Sequence, residues 1–307
     1  LAGGALWPDP LIQMNPAFES GGYVPDLVNQ GLLHPKCSEI FAHKSEDAVQ
    51  TPRKMRLHRH QVDAIQAAQE NQPYVVTTGT GSGKSLTYIV PIVDHVLRTG
   101  SGQGLKAIII YPMNALANSQ MLELERFLKL GFNQPPVTFA AYTGQEGTEA
   151  REGLRKSPPD ILLTNYVMME YILTRPHDNP LISQSEHLKF LVLDELHTYR
   201  GRQGADVALL VRRLKERCLS EDLLYVGTSA TLSSSDDPKV QRQDVASYAS
   251  RLFGTTVAPE YVIGERLRRV TPETGDPATL RQRLTTSPTH SPHSFEQWIA
   301  DPLAQWI

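Results

Sequence analysis

A short run of glycine, serine and threonine that ends in lysine and serine constrains this chain more than any other stretch. Residues 77–85 read Thr-Thr-Gly-Thr-Gly-Ser-Gly-Lys-Ser, after an apolar segment at 74–76 and before a segment at 86–90 that is typical of a helix start. A glycine-rich turn between a strand and a helix is the setting of a loop that binds phosphate through backbone amides. The sequence therefore predicts a nucleotide-binding α/β domain.

The residues of this loop have separate expected tasks. Glycines allow the backbone to curl around an anion, and the helix that follows adds the positive end of its dipole. Lys84 would neutralise the β- and γ-phosphates of ATP, while the Ser85 hydroxyl would bind Mg²⁺. The stricter phosphate-loop pattern begins with glycine at the position where this chain has Thr78. The alternative to a phosphate loop is a flexible turn that binds no ligand. The predicted loop residues are Thr78, Gly79, Thr80, Gly81, Ser82, Gly83, Lys84 and Ser85.

A second apolar segment, residues 190–193, ends in two carboxylates, Asp194 and Glu195. Because unpaired buried carboxylates are costly, these acids are expected at a strand end that faces solvent or a metal. At the carboxyl edge of a parallel sheet they would lie beside the phosphate loop. We expect Asp194 to bind Mg²⁺ and Glu195 to polarise the attacking water, with a solvated strand end as the alternative. His197 either couples this site to a neighbouring segment or forms an ordinary hydrogen bond.

Apolar runs alternate with helical stretches from residue 51 to residue 257. Such alternation predicts a mostly parallel sheet with helices on both faces, and right-handed crossovers then place all strand C-termini at one edge. Every candidate functional segment follows a predicted strand, so the segments are expected to meet at that edge. The candidate strands are 74–78, 106–111, 137–142, 160–164, 189–194 and 223–229, with helices between them, for example 113–130 and 203–219.

Five further segments complete the pattern. They are Gln61 in His-Arg-His-Gln, Tyr-Pro-Met-Asn-Ala-Leu at 111–116, Tyr-Thr-Gly at 142–144, Thr-Asn-Tyr at 164–166 and Ser-Ala-Thr at 229–231. With the phosphate loop and the acidic pair, these segments resemble, in order, the motifs of the first RecA-like motor domain of superfamily 2 helicases of the Asp-Glu-x-His type. The resemblance covers about residues 57–232 and implies an ATP-dependent helicase.

The resemblance also implies residue roles. Gln61 would read adenine, and Ser229, Ala230 and Thr231 would link ATP hydrolysis to movement along a strand. His197 would join Lys84, Asp194 and Glu195 in the catalytic set. The expected contacts with the nucleic-acid backbone are Pro112, Met113, Asn114, Thr143, Gly144, Thr164 and Asn165. Short hydroxyl side chains and amides at helix starts suit such contacts, because they bind phosphates without base preference.

Arginines follow the acidic motif, and they have two interpretations. Arg200 and Arg202 are expected in a loop beside the ATP site and the nucleic-acid channel, where they would couple the two, although an ordinary surface position is the alternative. Arg212 and Arg213 fall within a helical segment and are expected to face solvent.

The amino-acid sequences of the motifs resemble most those of bacterial DNA helicases of the mitomycin-repair and phage-defence kind. Asp-Glu-Leu-His at 194–197 differs from the Asp-Glu-Ala-Asp of RNA helicases, and 199–208 is similar to the bacterial DNA enzymes. Those enzymes carry a C-terminal cysteine-rich domain, which this chain lacks. The resemblance implies a 3′-to-5′ motor that favours DNA over RNA and that has repair or defence proteins as potential partners.

Three segments are expected along the chain: an irregular extension at 1–50, the RecA-like motor domain at 51–257, and a linker with short helices at 258–307. We expect the linker to lead to a second RecA-like domain of the same polypeptide. In helicases of this type that second domain supplies an arginine that stabilises the transition state. The chain alone is therefore expected to bind nucleotide weakly and to hydrolyse it slowly.

Composition limits the remaining possibilities. The 307 residues carry a net charge of −3, so contact with nucleic acid would be local. Two cysteines exclude a zinc set and a disulfide scaffold, which favours a reducing cytoplasm. The histidine pairs His58/His60 and His290/His293 are expected at the surface. No apolar run is long enough to cross a membrane, and the N-terminus has no signal-peptide pattern.

Two alternatives to a helicase remain open. One is a motor that translocates on duplex DNA without separating the strands. The other is a binding module in which ATP only switches the affinity for a partner. Glu195 argues against the second alternative, because a pure switch does not need a carboxylate that positions water.

Overall fold

The computed structural model of the chain describes residues 17–44, 52–79, 81–178, 180–183, 185–218, 220, 222–230, 237–268, 276–286 and 294–306. The chain divides into two compact units. The larger unit is Ser20–Glu265, and the smaller one combines Leu1–Glu19 with Arg266–Ile307. In the described part of the chain, no helix combines the length and apolar character that a membrane crossing requires.

The larger unit contains eleven strands and ten α-helices within its described residues. The strands are β1 (Ser20–Tyr23), β2 (Ala42–His43), β3 (Arg53–Lys54), β4 (Arg56–His58), β5 (Tyr74–Thr77), β6 (Ala107–Tyr111), β7 (Phe139–Tyr142), β8 (Ile161–Asn165), β9 (Phe190–Leu193), β10 (Leu224–Ser229) and β11 (Val262–Gly264). The helices are α1 (Val24–Asn29), α2 (Cys37–Ile40), α3 (Arg59–Gln69), α4 (Leu86–Thr99), α5 (Asn114–Leu128), α6 (Thr148–Lys156), α7 (Tyr166–Thr174), α8 (Pro180–Ser183), α9 (Gly201–Arg217) and α10 (Pro238–Phe253).

Seven of the strands form one sheet in the order β11-β5-β10-β9-β6-β8-β7, and every neighbouring pair is parallel. The predicted α/β fold with a parallel sheet is confirmed, and each of the predicted strands is present with its ends shifted by at most two residues. The sequence pattern did not indicate β11, because three residues are too short to show a strand periodicity.

The sheet is buried on both faces. Ala107, Ile109 and Tyr111 of β6 belong to one apolar cluster, whereas Ile108 and Ile110 belong to the other. This alternation follows from the two-residue period of a strand. Residues from α3, α4 and α5 complete the first cluster, and residues from α7, α9 and α10 complete the second. The continuous apolar character of the strands is therefore explained by helices on both faces.

Strand order divides the carboxyl edge of the sheet into two halves. The strands that precede the phosphate loop, the Ser-Ala-Thr motif and the acidic pair are β5, β10 and β9, which are direct neighbours. The strands that precede the predicted nucleic-acid segments are β6, β8 and β7, which are also neighbours. The half of the edge with the predicted nucleotide segments, here called the nucleotide half, thus lies beside the half with the predicted nucleic-acid segments, at the edge where ligands bind in open α/β sheets.

The N-terminal part of the larger unit supports the start of α3. Strand β1 pairs antiparallel with β4, and Val24 and Leu27 of α1 belong to the first apolar cluster. The two backbones approach so closely that a side chain at Gly21 would stand 2.8 Å from the His58 carbonyl oxygen. This packing fixes the helix whose first turn faces the phosphate loop.

The described residues of the smaller unit form a single β-bridge and short helices. Phe18 and Leu267 form an isolated antiparallel bridge. Three short helices follow: α11 (Pro277–Thr286), α12 (Phe295–Ala300) and α13 (Pro302–Trp306). An ion pair between Arg283 Nε and Asp301 Oδ2, 2.9 Å apart, ties α11 to the start of α13. The domain boundaries expected from the sequence stay predictions.

Candidate functional site

The phosphate loop leaves β5 and enters α4, as its sequence predicts. Gly81 and Gly83 have φ angles of 80° and 72°, the left-handed region that glycine adopts without strain. The backbone amides of residues 81–85 have no acceptor among the described residues. Together with the N-terminus of α4, these amides form a concave set of donors that suits an anion. Thr80 lies outside the described residues.

Lys84 and Glu195 face each other across the site. The Lys84 Nζ atom is 3.5 Å from Glu195 Oε1, and both side chains are largely shielded from solvent. The distance allows an ion pair, but neither Lys84 Nζ nor Glu195 Oε2 has an aligned hydrogen-bond partner. A buried ammonium without such a partner is costly unless a ligand completes its contacts. This group therefore fits the phosphates of a nucleotide.

Asp194 lies under the same group and is held by Thr228. The Thr228 hydroxyl donates to Asp194 Oδ1 and accepts from the Glu195 amide at 3.0 Å. Burial raises the pKa of Asp194 to about 6, and the charge of Glu195 adds to this rise, while the Thr228 hydroxyl and Lys84 oppose it. A nearby cation would stabilise the ionised carboxylate.

The expected metal site is not a protein cage. The described residues contain no group of three or more His, Cys, Asp or Glu side chains that could hold a metal. Mg²⁺ is typically bound by one or two protein ligands together with substrate phosphates and water. The pair Ser85 and Asp194 fits this pattern, because it supplies two oxygen ligands beside the open amides.

Glu195 adopts an unusual backbone conformation. Its φ angle is 53°, one of two positive values among the described non-glycine residues. Such a conformation costs roughly 1–3 kcal/mol and is concentrated at functional sites. The hydrogen bond from the Glu195 amide to the Thr228 hydroxyl holds this conformation in place. The strand that carries the Ser-Ala-Thr motif therefore also orients the acidic motif.

His197 connects the acidic motif with the Ser-Ala-Thr motif. Its Nδ1 atom lies 3.3 Å from Ser229 Oγ and 3.3 Å from Glu195 Oε2. This geometry is compatible with both interpretations of His197, so its coupling role stays a prediction. Ala230 lines a cavity of about 440 Å³ beside Gly79, and Thr231 lies outside the described residues.

Gln61 contacts the phosphate loop. Its side-chain oxygen accepts from the His58 amide at 2.8 Å, and its Nε2 atom donates to the Gly83 carbonyl oxygen at 2.9 Å. A side chain at position 83 would stand 2.6 Å from that nitrogen, and the φ angle of 72° favours glycine there. The predicted contact between Gln61 and adenine stays a prediction, because both polar ends of the side chain already have partners.

Three predicted nucleic-acid residues meet at one turn. The Thr143 carbonyl oxygen accepts from Asn165 Nδ2 at 3.1 Å and from Asn114 Nδ2 at 3.4 Å, and Asn165 Nδ2 also donates to Asn114 Oδ1 at 2.6 Å. Thr164 differs, because it is fully buried and its hydroxyl donates to the Tyr142 carbonyl oxygen at 2.7 Å. The structure thus joins β6, β7 and β8 at this turn.

The other residues predicted for nucleic-acid contact differ in exposure. Met113 is 59% exposed and precedes α5 directly, while Pro112 is partly buried. Gly144 is exposed, and its φ angle of 94° requires glycine. These residues present an open surface beside the turn.

Glu146 is a residue of this turn that sequence reasoning missed. Its carboxylate accepts from the Thr143 amide at 2.9 Å, from the Thr143 hydroxyl at 2.7 Å and from the Gly144 amide at 2.9 Å. Partial burial acts to raise the pKa of Glu146, but the hydrogen bonds from Thr143 and Gly144 outweigh it, so the pKa lies below its ordinary value. The carboxylate therefore accepts from the two amides that the sequence predicted to contact a nucleic-acid phosphate, and that contact stays a prediction.

The two arginines that follow the acidic motif are exposed. Arg200 directly precedes α9, and Arg202 lies in its first turn. Arg200 lines a cavity of about 370 Å³ with Tyr248 and Arg251. The expected coupling role of Arg200 and Arg202 stays a prediction.

The histidine at position 60 corrects an expectation. His58 and His60 were expected at the surface, but His60 is fully buried, and its Nε2 atom lies 3.0 Å from the Ser82 carbonyl oxygen. The one sequence signal for this contact is the position of His60 beside Gln61, which was predicted to read adenine at the nucleotide site. His290 and His293 lie outside the described residues.

The sheet, the phosphate loop and the acidic pair define a RecA-like domain of the P-loop type. The model of the DEAD/DEAH box helicase family matches residues 58–238, which is more than half of the chain. The chain belongs to the DEAD/DEAH box helicase family, as its sequence motifs predicted.

Individual relatives agree with this assignment. The chain is 33% identical over 206 residues to the uncharacterized ATP-dependent helicase YprA of Bacillus subtilis (strain 168), covering 66% of this chain and 26% of YprA. It is 25% identical over an alignment of 379 residues to Druantia protein DruE of Escherichia coli (strain UMEA 4076-1), covering 86% of this chain and 20% of DruE.

A solved structure shows the same architecture. The crystal structure of the DUF1998 helicase MrfA bound to DNA matches with a TM-score of 0.62 and 25% identity, covering 82% of this chain and 29% of MrfA. The chain thus spans between a fifth and a third of the length of these three relatives.

Proposed function

We propose that this chain is the ATP-binding half of a DNA helicase that moves 3′ to 5′ in DNA repair or phage defence. The observation that carries the proposal is the convergence of Lys84, Asp194 and Glu195 below the open amides of the phosphate loop. The turn at Thr143 lies on the same edge of the sheet, where a nucleic-acid strand would pass. The relative MrfA was crystallised with DNA, which supports DNA as the substrate.

In this proposal each residue has a defined task at the ATP site. Lys84 and the amides of residues 81–85 bind the phosphates. Ser85 and Asp194 would hold Mg²⁺, which would supply positive charge to neutralise the phosphates. Glu195 orients the attacking water and receives its proton, for which the carboxylate must separate from Lys84. His197 then transmits the state of Glu195 to Ser229, since it lies within 3.3 Å of both side chains.

A second RecA-like domain of the same polypeptide completes the site in this proposal. In the larger unit, Lys84 and Glu195 pair with each other, Glu195 also lies beside His197, and Asp194 accepts a hydrogen bond from Thr228. An arginine that stabilises the transition state contributes ~10³–10⁵ to the rate of related nucleotidases. We therefore expect the chain by itself to bind nucleotide and to turn it over slowly.

ATP turnover by the polypeptide that contains this chain and the second RecA-like domain tests the proposal. Single-stranded DNA, duplex DNA and RNA are added in turn to the wild type, to Lys84→Ala and to the control Lys129→Ala. Lys129 is half exposed, pairs with Glu125 and lies over the Phe139 ring. Stimulation by single-stranded DNA that is lost in Lys84→Ala alone supports a DNA helicase. Unwinding of duplexes with only a 3′ tail supports the polarity.

The other outcomes contradict the proposal in distinct ways. Stimulation by duplex DNA alone would indicate a duplex translocase. Stimulation by RNA alone would overturn the assignment to DNA. Nucleotide binding without stimulation by any nucleic acid would indicate a binding module that ATP switches.

A further inference from the structure

Two consecutive residues at the start of α3 hold two consecutive carbonyls of the phosphate loop. His60 Nε2 lies 3.0 Å from the Ser82 carbonyl oxygen, and Gln61 Nε2 lies 2.9 Å from the Gly83 carbonyl oxygen. Since a carbonyl oxygen can only accept, the imidazole must carry its hydrogen on Nε2. His60 is fully buried, so this hydrogen bond is shielded from water.

These bonds fix the direction of the neighbouring amides. The described peptide bonds are all trans, and in a planar trans peptide the C=O and N–H groups point in opposite directions. A Ser82 carbonyl that points at His60 turns the Gly83 amide away from α3. A Gly83 carbonyl that points at Gln61 does the same for the Lys84 amide.

The Gly83 and Lys84 amides are among the amides of residues 81–85 that have no acceptor in the described part of the chain. Donors that are fixed before the ligand arrives lose no orientational freedom when the anion binds, which increases their contribution to affinity. A phosphate loop with Gly81 and Gly83 in it has many accessible backbone conformations, so an external contact is needed to select one.

We propose that His60 is a positioning residue of the ATP site, which aims the Gly83 amide at the nucleotide phosphates through its hydrogen bond to Ser82. This inference rests on the proposed function, and it assigns the ATP site a residue outside both the loop and the acidic motif. Burial lowers the pKa of His60 below its ordinary value; the bond to Ser82 and the charges of Glu265 and Asp63 oppose this, while His58 adds to it. The imidazole thus stays neutral, with Nε2–H as its donor, at neutral pH.

A pair of substitutions separates the donor from the volume of the side chain. His60→Gln places an amide nitrogen near the position of Nε2, whereas His60→Met has a similar length and no donor. Binding of inorganic pyrophosphate and of ADP with Mg²⁺ to the 307-residue chain is measured by calorimetry. Pyrophosphate probes the loop without the adenine contact. Val62→Ala is the control, because Val62 is buried in the same helix but faces β1 instead of the loop.

The expected result is that phosphate affinity falls when the donor is removed and is retained when the substituted side chain supplies a donor. His60→Met should weaken pyrophosphate and ADP binding about five- to tenfold, the effect of one buried hydrogen bond. His60→Gln should stay within about twofold of the wild type. Val62→Ala should lower the urea midpoint of unfolding and leave pyrophosphate affinity unchanged.

Other results would overturn the inference. Unchanged pyrophosphate affinity in His60→Met would show that the contact does not position the loop. Equal losses in His60→Gln and His60→Met, or a comparable loss in Val62→Ala, would reduce His60 to a residue that maintains the fold. Absence of pyrophosphate and ADP binding in the wild type would remove the proposed ATP site itself and the inference with it.

Discussion

The phosphate loop and the turn at Thr143 lie on the same edge of the sheet. In both regions, side chains from other elements form hydrogen bonds with the backbone carbonyl oxygens. His60 and Gln61 contact the carbonyls of the loop, while Asn114 and Asn165 contact the Thr143 carbonyl. On the amide side the two regions differ. The amides of residues 81–85 have no acceptor among the described residues, whereas the amides of Thr143 and Gly144 donate to Glu146.

The difference indicates two modes of anion binding. At the phosphate loop, the nucleotide displaces only water and gains a set of oriented donors. At the turn, a nucleic-acid phosphate must first displace a carboxylate that already satisfies the same donors. Net affinity is the surplus of new contacts over those that are lost, so the turn should bind more weakly. Weak contact at each phosphate suits a motor that must release the strand in every cycle.

The largest expected effect concerns Glu195. We expect Glu195→Gln to lower ATP turnover of the longer polypeptide about 10²–10⁴-fold, because it removes the group that takes the proton of water. Nucleotide affinity should stay equal or rise, since Lys84 is freed from its ion pair. The measurements are steady-state turnover and calorimetry with ADP. Turnover near the wild-type rate would show that another residue positions the water.

The pH dependence of metal-linked binding should follow Asp194. Its pKa of about 6 arises mainly from burial, so the carboxyl gains a proton as the pH falls below 6. A protonated carboxyl does not bind Mg²⁺, and affinity for ADP with Mg²⁺ should fall by about tenfold per pH unit in that range. Affinity for ADP measured with EDTA should change less. Equal pH profiles with and without Mg²⁺ would contradict the assignment of Asp194 as a ligand.

Removal of the Glu146 charge should strengthen anion binding at the Thr143 turn. We expect Glu146→Gln to increase affinity for single-stranded DNA about three- to tenfold, because the amide keeps an acceptor oxygen but removes the charge that competes with phosphate. Glu149→Gln, at an exposed position in the first turn of α6, makes the same chemical change as a control. The measurement is fluorescence anisotropy with a labelled oligonucleotide at fixed salt. Weaker binding in Glu146→Gln would show that the carboxylate only braces the turn.

Much of the nucleotide half of the edge could be predicted from sequence. The phosphate loop with Lys84 and the acidic pair Asp194 and Glu195 each follow a short apolar run, and such runs predict buried parallel strands whose ends meet. The motifs then specify the chemistry, because only a few residue types bind phosphate, Mg²⁺ and water at such a point.

The residues that sequence missed act through tertiary contacts. Thr228 reaches Asp194 only because β10 pairs with β9 in a particular register, in which Gly227 stands opposite Leu193. A threonine within an apolar strand gives no sign of that partner. His60 reads as a surface histidine until the fold brings the Ser82 carbonyl of the phosphate loop to it. Glu146 is the exception, because its donors Thr143 and Gly144 lie only three and two residues away, yet its sequence context reads as a solvated loop charge.

The smallest effect is expected for Thr164. It tests the predicted nucleic-acid surface at a residue whose observed position differs from the contact that its sequence predicted. Its hydroxyl was predicted to contact a phosphate, but the side chain is fully buried and donates to the Tyr142 carbonyl oxygen at 2.7 Å. We expect Thr164→Val to lower the free energy of unfolding by about 1 kcal/mol, since one buried hydrogen bond is lost at nearly constant volume. Affinity for single-stranded DNA should stay unchanged, because any phosphate at this strand end would bind backbone amides and not the hydroxyl. Urea unfolding and anisotropy measure the two quantities separately. A loss of DNA affinity without a loss of stability would return the hydroxyl to the nucleic-acid surface and would imply that β7 and β8 separate when the strand binds.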